Sequence, residues 1–164
     1  DVVTACVIAF PLGSNTTKIK VAESEDAIDH GVDEIDMVMN IGEMKSGHED
    51  KVAADIQAVV DAGHKAGKVI KVILETCLLT DEEITKASKI AAQAGADFVK
   101  TSTGFSKEGA TVHAVEVMAA SVKGTDTAVK ASGGIHSKEE AEAMVNAGAT
   151  RLGVSHSMKV IGKE

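Results

Sequence analysis

Two lysines lie inside short apolar segments that otherwise predict buried β-strands. Lys100 is in GADFVKTSTGF (95–105), and Lys130 is in TAVKASGG (127–134). Burial disfavours the charged form of an amine, and two ammonium groups held close together repel, so one of these lysines should be neutral near pH 7. A neutral lysine can add to a carbonyl carbon and form a Schiff base. The two segments therefore predict an amine-based catalytic site, in which Asp36 could balance the remaining charge and move protons.

A purely structural role is the alternative, because a buried lysine can also be held in a satisfied ion pair. Lys71 and Glu34 are candidates for such a pair. Lys100 and Lys130 differ from them because each is followed by a small, polar, glycine-containing stretch, TSTG or ASGG. Active sites of β/α barrels lie at the C-terminal ends of the strands, and this position favours catalysis for these two lysines.

The elements that would position these lysines form a repeated strand and helix unit. Strand-like segments begin near residues 2, 34, 69, 97, 127 and 150. Helical segments lie between them, and two begin with capping boxes, Thr80 with Glu83 and Ser137 with Glu140. Glycines follow the ends of four predicted helices, at Gly31, Gly67, Gly95 and Gly148. This alternation predicts a parallel sheet covered by helices.

Parallel strands covered by helices form either an open sheet or a closed barrel, and the strand side chains favour the barrel. In DEIDMVMN (33–40), alternation separates Glu34 and Asp36 from the aliphatic residues between them. Other strands repeat this asymmetry, with the polar face carrying Lys71, Lys100 and Lys130. A barrel interior, where side chains converge from many strands, explains isolated charges on one face. We therefore predict an α/β protein of the parallel (β/α) TIM-barrel type, one domain over residues 1–164 with about six of the eight βα units.

Glycine-rich turns after the last two predicted strands favour an anion. Gly133 and Gly134 follow one strand and precede a capped helix, and Gly153 and Ser155 end the last strand. Exposed N–H groups at such turns and helix starts suit a phosphate, which in β/α barrels usually binds at the last two loops. The alternative is that these glycines only permit tight turns.

The composition argues against several classes of partner. The formal net charge is −8 without any Lys/Arg block, and aromatic residues make up 2% of the chain, which does not suit a binder of nucleic acid or of a membrane surface. The six histidines show no HxH or HExxH spacing, so no metal site is predicted. Cys6 and Cys77 lie outside any CxxC pattern and are expected to be buried free thiols of a cytoplasmic protein.

Five segments of the chain resemble a known enzyme family. FPLGSNTT, DEIDMVMNIG, KVILETCLLTDEEI, AGADFVKTSTGF and VKASGGI occur in this order, and the chain closely resembles the class I, Schiff-base deoxyribose-phosphate aldolases over practically its whole length. The resemblance implies that Lys100 is the Schiff-base lysine, that Lys130 is the second lysine that makes it nucleophilic, and that Asp36 takes part in proton relay. It also assigns five residues to the neighbourhood of the substrate phosphate: Gly104, Gly133, Gly134, Gly153 and Ser155.

The resemblance also implies an activity. An enzyme of this kind cleaves 2-deoxy-D-ribose 5-phosphate reversibly to D-glyceraldehyde 3-phosphate and acetaldehyde, with neither a metal nor an organic cofactor. The implied partners are small phosphosugars and aldehydes, and neither nucleic acid nor membrane. The implied location is the cytoplasm.

The chain is short for this architecture, because a complete barrel has eight βα units and about 250 residues. The resemblance begins at the family's third strand, so two units are expected to be missing, and the two open sheet edges favour a homo-oligomer. Two alternatives to an active aldolase stay open. One is an inactive fragment that retains a phosphosugar-binding cleft, and the other is a phosphosugar isomerase that uses Glu75 as a carboxylate base. Glu75 could instead pair with Lys71 or orient a substrate.

Overall fold

Six short strands form one parallel sheet in the computed structural model, which describes residues 2–163. The strands are β1 (Ala5–Ile8), β2 (Glu34–Val38), β3 (Val69–Ile73), β4 (Phe98–Lys100), β5 (Ala128–Ser132) and β6 (Arg151–Gly153). They lie in the sheet in chain order, and every neighbouring pair is parallel. The predicted parallel sheet is confirmed, although β1 begins at Ala5 rather than near residue 2, at the point where pairing with Glu34 starts.

Helices connect the strands and cover the sheet. They are α1 (Thr17–Asp29), α2 (Ile41–Lys45), α3 (Glu49–Lys65), α4 (Asp81–Gln93), α5 (Val112–Val122), α6 (Lys138–Asn146) and α7 (Ser157–Val160). Both predicted capping boxes are present, at the starts of α4 and α6. Helix α5 begins after Thr111, whose side chain accepts the N–H of Ala114 without a capping box, and sequence analysis did not single it out. Between residues 2 and 163, no helix is both long and apolar enough to cross a membrane.

The contacts between side chains on distant strands require a strongly curved sheet. Asp36 on β2 contacts Lys130 on β5 at 2.9 Å, and Glu34 on β2 contacts Arg151 on β6 at 2.6 Å. In a flat sheet, β2 would lie about 14 Å from β5 and about 19 Å from β6. Both contacts form only because the sheet curls and brings its concave face together. The structure is therefore a half-barrel with a polar interior, and the predicted TIM-barrel type of fold is confirmed.

The convex face of the sheet packs against the helices and forms the apolar core. Its strands contribute fully buried aliphatic side chains, among them Ile35, Met37, Ile70, Val72 and Val99. Helix α3 contributes Val52, Ile56 and Val59, which recur at helical spacing and are also fully buried. The alternation seen in the sequence thus separates an aliphatic outer face from a charged inner face.

The two cysteines are free but only half-buried, so the prediction of buried thiols is wrong. Cys6 lies on β1, which has a neighbouring strand on one side only. Cys77 lies in a short 3₁₀ helix (Thr76–Leu78) rather than in a strand. The extended chain ends before it because Glu75 adopts a left-handed backbone conformation, with φ of 57°.

A buried ion pair joins α1 and α3 outside the half-barrel interior. Lys20 is fully buried and donates to Asp55 at 2.5 Å and to the carbonyl oxygen of Val38 at 2.9 Å. The Thr17 hydroxyl donates to the other oxygen of the Asp55 carboxylate at 2.8 Å. Burial lowers the pKa of Lys20, and the hydrogen bond and charge of Asp55 oppose this effect. Either partner alone would be an unpaired charge away from water.

We expect Lys20→Met to lower the free energy of unfolding by about 3–5 kcal/mol, because it leaves Asp55 buried without a counter-charge. Urea denaturation followed by circular dichroism measures the loss. The double variant Lys20→Met/Asp55→Leu removes both charges and should recover most of it. Equal instability of the single and double variants would show that the ion pair is not the cause.

Candidate active site

One buried carboxylate joins three lysines inside the half-barrel. Asp36 is 3% exposed. Its Oδ2 atom accepts hydrogen bonds from Lys100 Nζ at 2.7 Å and from Lys130 Nζ at 2.9 Å, and its Oδ1 atom accepts one from Lys71 Nζ at 2.6 Å. The three residues that sequence analysis proposed for chemistry, Lys100, Lys130 and Asp36, are therefore in direct contact.

A second carboxylate extends this cluster. Glu34 contacts Lys71 Nζ at 2.7 Å and Arg151 Nη1 at 2.6 Å, so the predicted Lys71–Glu34 ion pair is present. Among residues 2–163, the four basic side chains of Lys71, Lys100, Lys130 and Arg151 thus form salt bridges with two carboxylates, those of Asp36 and Glu34. With every group ionised, the cluster would carry an excess of positive charge in a buried place, which is unfavourable. Loss of a proton from one lysine relieves this excess.

The pKa values of the cluster follow from burial and from these contacts. Burial alone would raise the pKa of Asp36, but the charge and hydrogen bond of Lys100 and the hydrogen bonds of Lys130 and Lys71 outweigh it and hold that pKa well below its usual range. Burial lowers the pKa of Lys130, and the charges of Lys100 and Lys71 lower it further, while Asp36 opposes them. Asp36 is therefore a stable carboxylate, and Lys130 gives up its proton more readily than an ordinary lysine.

Hydrogen bonds between the ends of β4 and β5 hold the two lysines side by side. Lys100 and Lys130 are direct partners in the parallel register. The Thr101 hydroxyl accepts the Ser132 N–H at 3.1 Å and donates to the Ser132 carbonyl at 3.2 Å, while the Ser132 hydroxyl donates to the Ser102 carbonyl at 2.8 Å. Sequence analysis missed this set of contacts because it depends on the strand register. The only local signal was a small polar residue within two positions of each lysine, Thr101 after Lys100 and Ser132 after Lys130.

The glycines proposed for phosphate binding lie at different distances from the lysines. A Cβ on Gly153 would lie 2.8 Å from the Ser132 Cβ and 3.5 Å from the Lys130 Cε, so β6 passes the cluster closely because it has no side chain there. A Cβ on Gly133 would lie 3.8 Å from the Gly104 Cα, which places these two glycines beside each other. Gly134 has open space at the Cβ position, and Ser155 is exposed.

The start of α6 offers fewer free N–H groups than the sequence predicted. The Glu140 carboxylate accepts the N–H of His136 at 2.6 Å and of Ser137 at 3.0 Å, and the Ser137 hydroxyl accepts the Glu140 N–H at 3.2 Å. The capping box thus occupies part of the helix start that sequence analysis offered to a phosphate. The N–H groups of Gly134 and Ile135, in the turn before the helix, have no acceptor within residues 2–163.

Glu75 does not pair with Lys71, contrary to one sequence-based expectation. It is 2% exposed, and its carboxylate accepts the Thr103 N–H at 3.2 Å and also the Thr103 hydroxyl. The left-handed backbone at Glu75 ends the alternation of β3, so its side chain leaves the face that carries Lys71. Glu75 and Thr103 line a cleft of about 250 Å³ whose other lining residues are Pro11, Leu12, Ile41, Leu78, Phe105 and Ser106.

The fold and the cluster define a class of protein, a β/α-barrel type whose interior holds three amines in contact with one buried carboxylate. Within residues 2–163, no group of three or more His, Cys, Asp or Glu side chains is arranged to hold a metal ion. The site therefore consists of amines, carboxylates, hydroxyls and backbone groups in the part of the chain that the structure describes.

Comparisons with known proteins identify the family. The sequence matches the family described as DeoC/LacD family aldolase over residues 3–158. It is 64% identical over 163 residues to the deoxyribose-phosphate aldolase of Lactiplantibacillus plantarum, covering 99% of this chain and 75% of that protein. It is 54% identical over 161 residues to the deoxyribose-phosphate aldolase of Aciduliprofundum boonei, covering 98% and 72%. The chain belongs to the DeoC/LacD aldolase family.

A solved structure of a relative supports the fold. The deoxyribose phosphate aldolase of Aeropyrum pernix, described as having a unique tetrameric structure, has a TM-score of 0.87 and 35% identity, and the match covers 96% of this chain and 65% of that chain. The chain thus spans about three quarters of the two curated relatives and just under two thirds of this solved chain.

Proposed function

We propose that the protein is a class I aldolase that cleaves 2-deoxy-D-ribose 5-phosphate reversibly to D-glyceraldehyde 3-phosphate and acetaldehyde through a Schiff base on Lys100. The observation that carries the proposal is the shared contact of Asp36 Oδ2 with Lys100 and Lys130 at 2.7 and 2.9 Å. Membership of the DeoC/LacD family, with relatives named deoxyribose-phosphate aldolase, supports the same substrate and reaction.

Activation of Lys100 needs a group that takes its proton. Lys130 suits this role because burial lowers its pKa, so that it is found in the neutral, proton-accepting form more readily than an ordinary lysine. The proton passes from the Lys100 ammonium group to the Lys130 amine, and Asp36 assists this relay because its Oδ2 atom contacts both nitrogens and stabilises the positive charge on either one. Lys100 becomes a neutral nucleophile, and the total charge of the cluster does not change.

The reaction then follows amine chemistry. The Lys100 nitrogen adds to the aldehyde carbon C1 of the open-chain sugar, and loss of water gives an iminium ion. A base of the site removes the proton of the C3 hydroxyl, the C2–C3 bond breaks, and its electron pair forms an enamine with the iminium carbon. Glyceraldehyde 3-phosphate leaves with C3 as its new aldehyde carbon. Protonation of the enamine at C2 and hydrolysis of the resulting iminium release acetaldehyde and free Lys100.

Backbone groups around the lysines suit the phosphate end of this substrate. Gly104, Gly133, Gly134, Gly153 and Ser155 are the residues to which we assign it. The free N–H groups of the turn before α6, the close approach of Gly153 to Lys130 and the excess of positive charge in the cluster support this assignment. The phosphate thereby occupies the side of the site formed by the loops after β5 and β6.

Ser155→Ala should raise the KM for 2-deoxyribose 5-phosphate about tenfold, the effect of losing one hydrogen bond to a charged group. Steady-state kinetics and borohydride trapping with acetaldehyde, which has no phosphate, separate this effect from damage to Lys100. Trapping should keep its wild-type rate. Ser157→Ala, two residues further along, is the matched control. A KM that is unchanged in Ser155→Ala would remove this serine from the phosphate site.

Borohydride trapping tests the proposed function directly. The chain is incubated with 2-deoxyribose 5-phosphate or acetaldehyde, reduced with borohydride and digested, and the peptides are mapped by mass spectrometry. We expect an ethyl group on Lys100, because reduction fixes the acetaldehyde imine as a secondary amine. A folded sample that forms product without any lysine adduct, or that forms neither, would overturn the Schiff-base mechanism.

The two alternative functions are less well supported. An isomerase needs a carboxylate base free to take a C–H proton, whereas both Glu75 oxygens accept hydrogen bonds from Thr103. An inactive fragment is less well supported because the six strands bring Lys100, Lys130 and Asp36 together and the relatives are named deoxyribose-phosphate aldolase. We therefore retain the aldolase as the single proposal.

The proposed reaction also suggests partners and location. Small phosphosugars and aldehydes are the partners, and neither nucleic acid nor membrane takes part. We infer a cytoplasmic location from this substrate class and from the two free thiols of the described residues. The related aldolase of Aeropyrum pernix is described as tetrameric, so we also infer a homo-oligomer.

A further inference from the structure

Glu75 differs from the other buried acidic residues among residues 2–163, because Glu34, Asp36 and Asp55 form salt bridges and Glu75 does not. It follows β3, is 2% exposed and adopts a left-handed backbone conformation with φ of 57° and ψ of 61°. Residues other than glycine, asparagine and aspartate rarely adopt this conformation, and it persists where surrounding contacts enforce it. A buried carboxylate loses its contacts with water and therefore needs hydrogen-bond donors within the protein.

Both partners come from one residue on the loop after β4. Thr103 donates its N–H to Glu75 Oε1 at 3.2 Å and its hydroxyl proton to Glu75 Oε2. The same Thr103 oxygen accepts the N–H of Phe105 at 3.0 Å. A chain of three hydrogen bonds therefore runs from Glu75, just after β3, into the loop after β4, which it reaches three residues after Lys100. Because one donor is a backbone N–H, the carboxylate fixes the path of the loop as well as one side chain.

The hydrogen-bond chain ends at an aromatic contact across the mouth of the half-barrel. The rings of Phe105 and Phe10 meet edge to face, with centroids 5.4 Å apart and planes at 88°. Phe105 is 78% exposed, so burial alone does not hold it there. Phe10 belongs to the loop after β1, and the two rings connect the first and fourth strands of the sheet. Phe105 also lines the 250 Å³ cleft together with Glu75 and Thr103.

We propose that Glu75 is a positioning residue that acts through Thr103 to hold Phe105 against Phe10 and so closes the outer wall of the cleft. The substrate part of this inference depends on the proposed function, since it takes the cleft as the wall of the substrate site opposite the loops after β5 and β6, where the phosphate is assigned. Glu75 does not take part in proton transfer. Its carboxylate accepts hydrogen bonds from Thr103, and it affects the reaction indirectly, by fixing the shape of the cleft.

The position of Phe105 is measurable without any activity. The chain has three phenylalanines and neither tyrosine nor tryptophan, so selective ¹³C labelling of phenylalanine yields three ring systems. A nuclear Overhauser effect between the Phe10 and Phe105 rings reports their contact. We expect it in the wild type and in Thr103→Ser, which keeps the hydroxyl. We expect it to be lost in Glu75→Ala and in Thr103→Val, which keeps the side-chain shape without the hydroxyl.

Kinetics test the consequence for the substrate. In Glu75→Ala and Thr103→Val, kcat/KM for 2-deoxyribose 5-phosphate should fall about tenfold or more through a higher KM, because the cleft wall is displaced. Trapping of acetaldehyde on Lys100, which does not need that wall, should stay close to wild type. Phe105→Ala should reproduce the higher KM, and adding Glu75→Ala to it should cause little further loss, because both changes act at the same contact. Glu82→Gln, which changes an exposed acidic side chain on α4, is the control.

The outcomes separate this inference from the proposed function. If the wild type forms no adduct with acetaldehyde, the aldolase proposal fails, while the ring contact still tests Glu75. If the contact persists in both Glu75→Ala and Thr103→Val, or if the effects of Glu75→Ala and Phe105→Ala on KM simply add, the positioning role is wrong. If Glu75→Ala does not fold, the Thr103→Val and Thr103→Ser pair decides the question.

Discussion

Lys100→Met should abolish the cleavage of 2-deoxyribose 5-phosphate, with kcat/KM lower by about 10⁴-fold or more, because the change removes the atom that bonds to the substrate. Methionine is apolar and of similar length, so the variant should fold. It also removes one of four positive charges that face two carboxylates, which relieves the excess of charge in the cluster. Coupled detection of glyceraldehyde 3-phosphate measures the rate, and borohydride trapping should find no adduct at any pH.

Lys130→Met is the matched comparison, because it removes the neighbouring amine and leaves the nucleophile. We expect a fall of about 10²–10⁴-fold near neutral pH, the range for removing a general acid or base. The deficit in trapping should shrink as the pH rises, because solvent then deprotonates Lys100 without Lys130. If Lys130→Met instead loses trapping at every pH while Lys100→Met retains it, the roles of the two lysines are reversed.

Asp36→Asn should be the most destabilising change in the interior, with a loss of about 3–5 kcal/mol in the free energy of unfolding. The carboxylate accepts hydrogen bonds from Lys71, Lys100 and Lys130, and it is 3% exposed. An amide keeps the shape but removes the negative charge that compensates these amines. Urea denaturation at pH 7 measures the loss, and Asp29→Asn, at an exposed position on α1, is the control.

The pH dependence of stability gives a second test of Asp36. Its pKa is lower in the folded protein than in the unfolded chain, so the unfolded state binds the proton first as the pH falls. The stabilisation is fully present above the unfolded pKa of about 4 and is lost as the pH falls further towards the folded value. The difference between wild type and Asp36→Asn should therefore stay constant from pH 7 to about pH 5 and shrink below about pH 4. A difference that grows on acidification would contradict this account.

Much of the architecture can be read from local patterns in the sequence. The capping boxes at Thr80 and Ser137 mark two helix starts, and both are present in the structure. Alternation along DEIDMVMN separates the charged inner face from the aliphatic outer face, because successive side chains of a strand point to opposite sides. Positive φ at the glycines after α1, α3, α4 and α6 agrees with their predicted place at helix ends. These features depend on neighbours within a few residues, so a single sequence contains them.

The partners of the interior charges could not be predicted in the same way. Sequence analysis paired Lys71 with Glu34, and the structure adds a shorter contact of Lys71 with Asp36. It offered Lys71 as a partner for Glu75, which instead binds Thr103. It offered the start of α6 to a phosphate, where Glu140 already accepts two N–H groups. Each of these outcomes depends on which side chains reach one another, which the spacing of residues along a strand or helix does not specify.

The sequence by itself thus determined the alternation of parallel strands and helices and the division of each strand into a charged and an aliphatic face. It also determined the short set of amines and carboxylates able to do chemistry. Only the tertiary structure decided that Asp36 on β2 meets Lys130 on β5, because that contact requires the curvature of the whole sheet. It also decided that Lys100 and Lys130 are register partners and that the loop after Lys100 is held by Glu75. Periodicity is a property of one element, whereas register and curvature arise from the packing of six strands and their helices together.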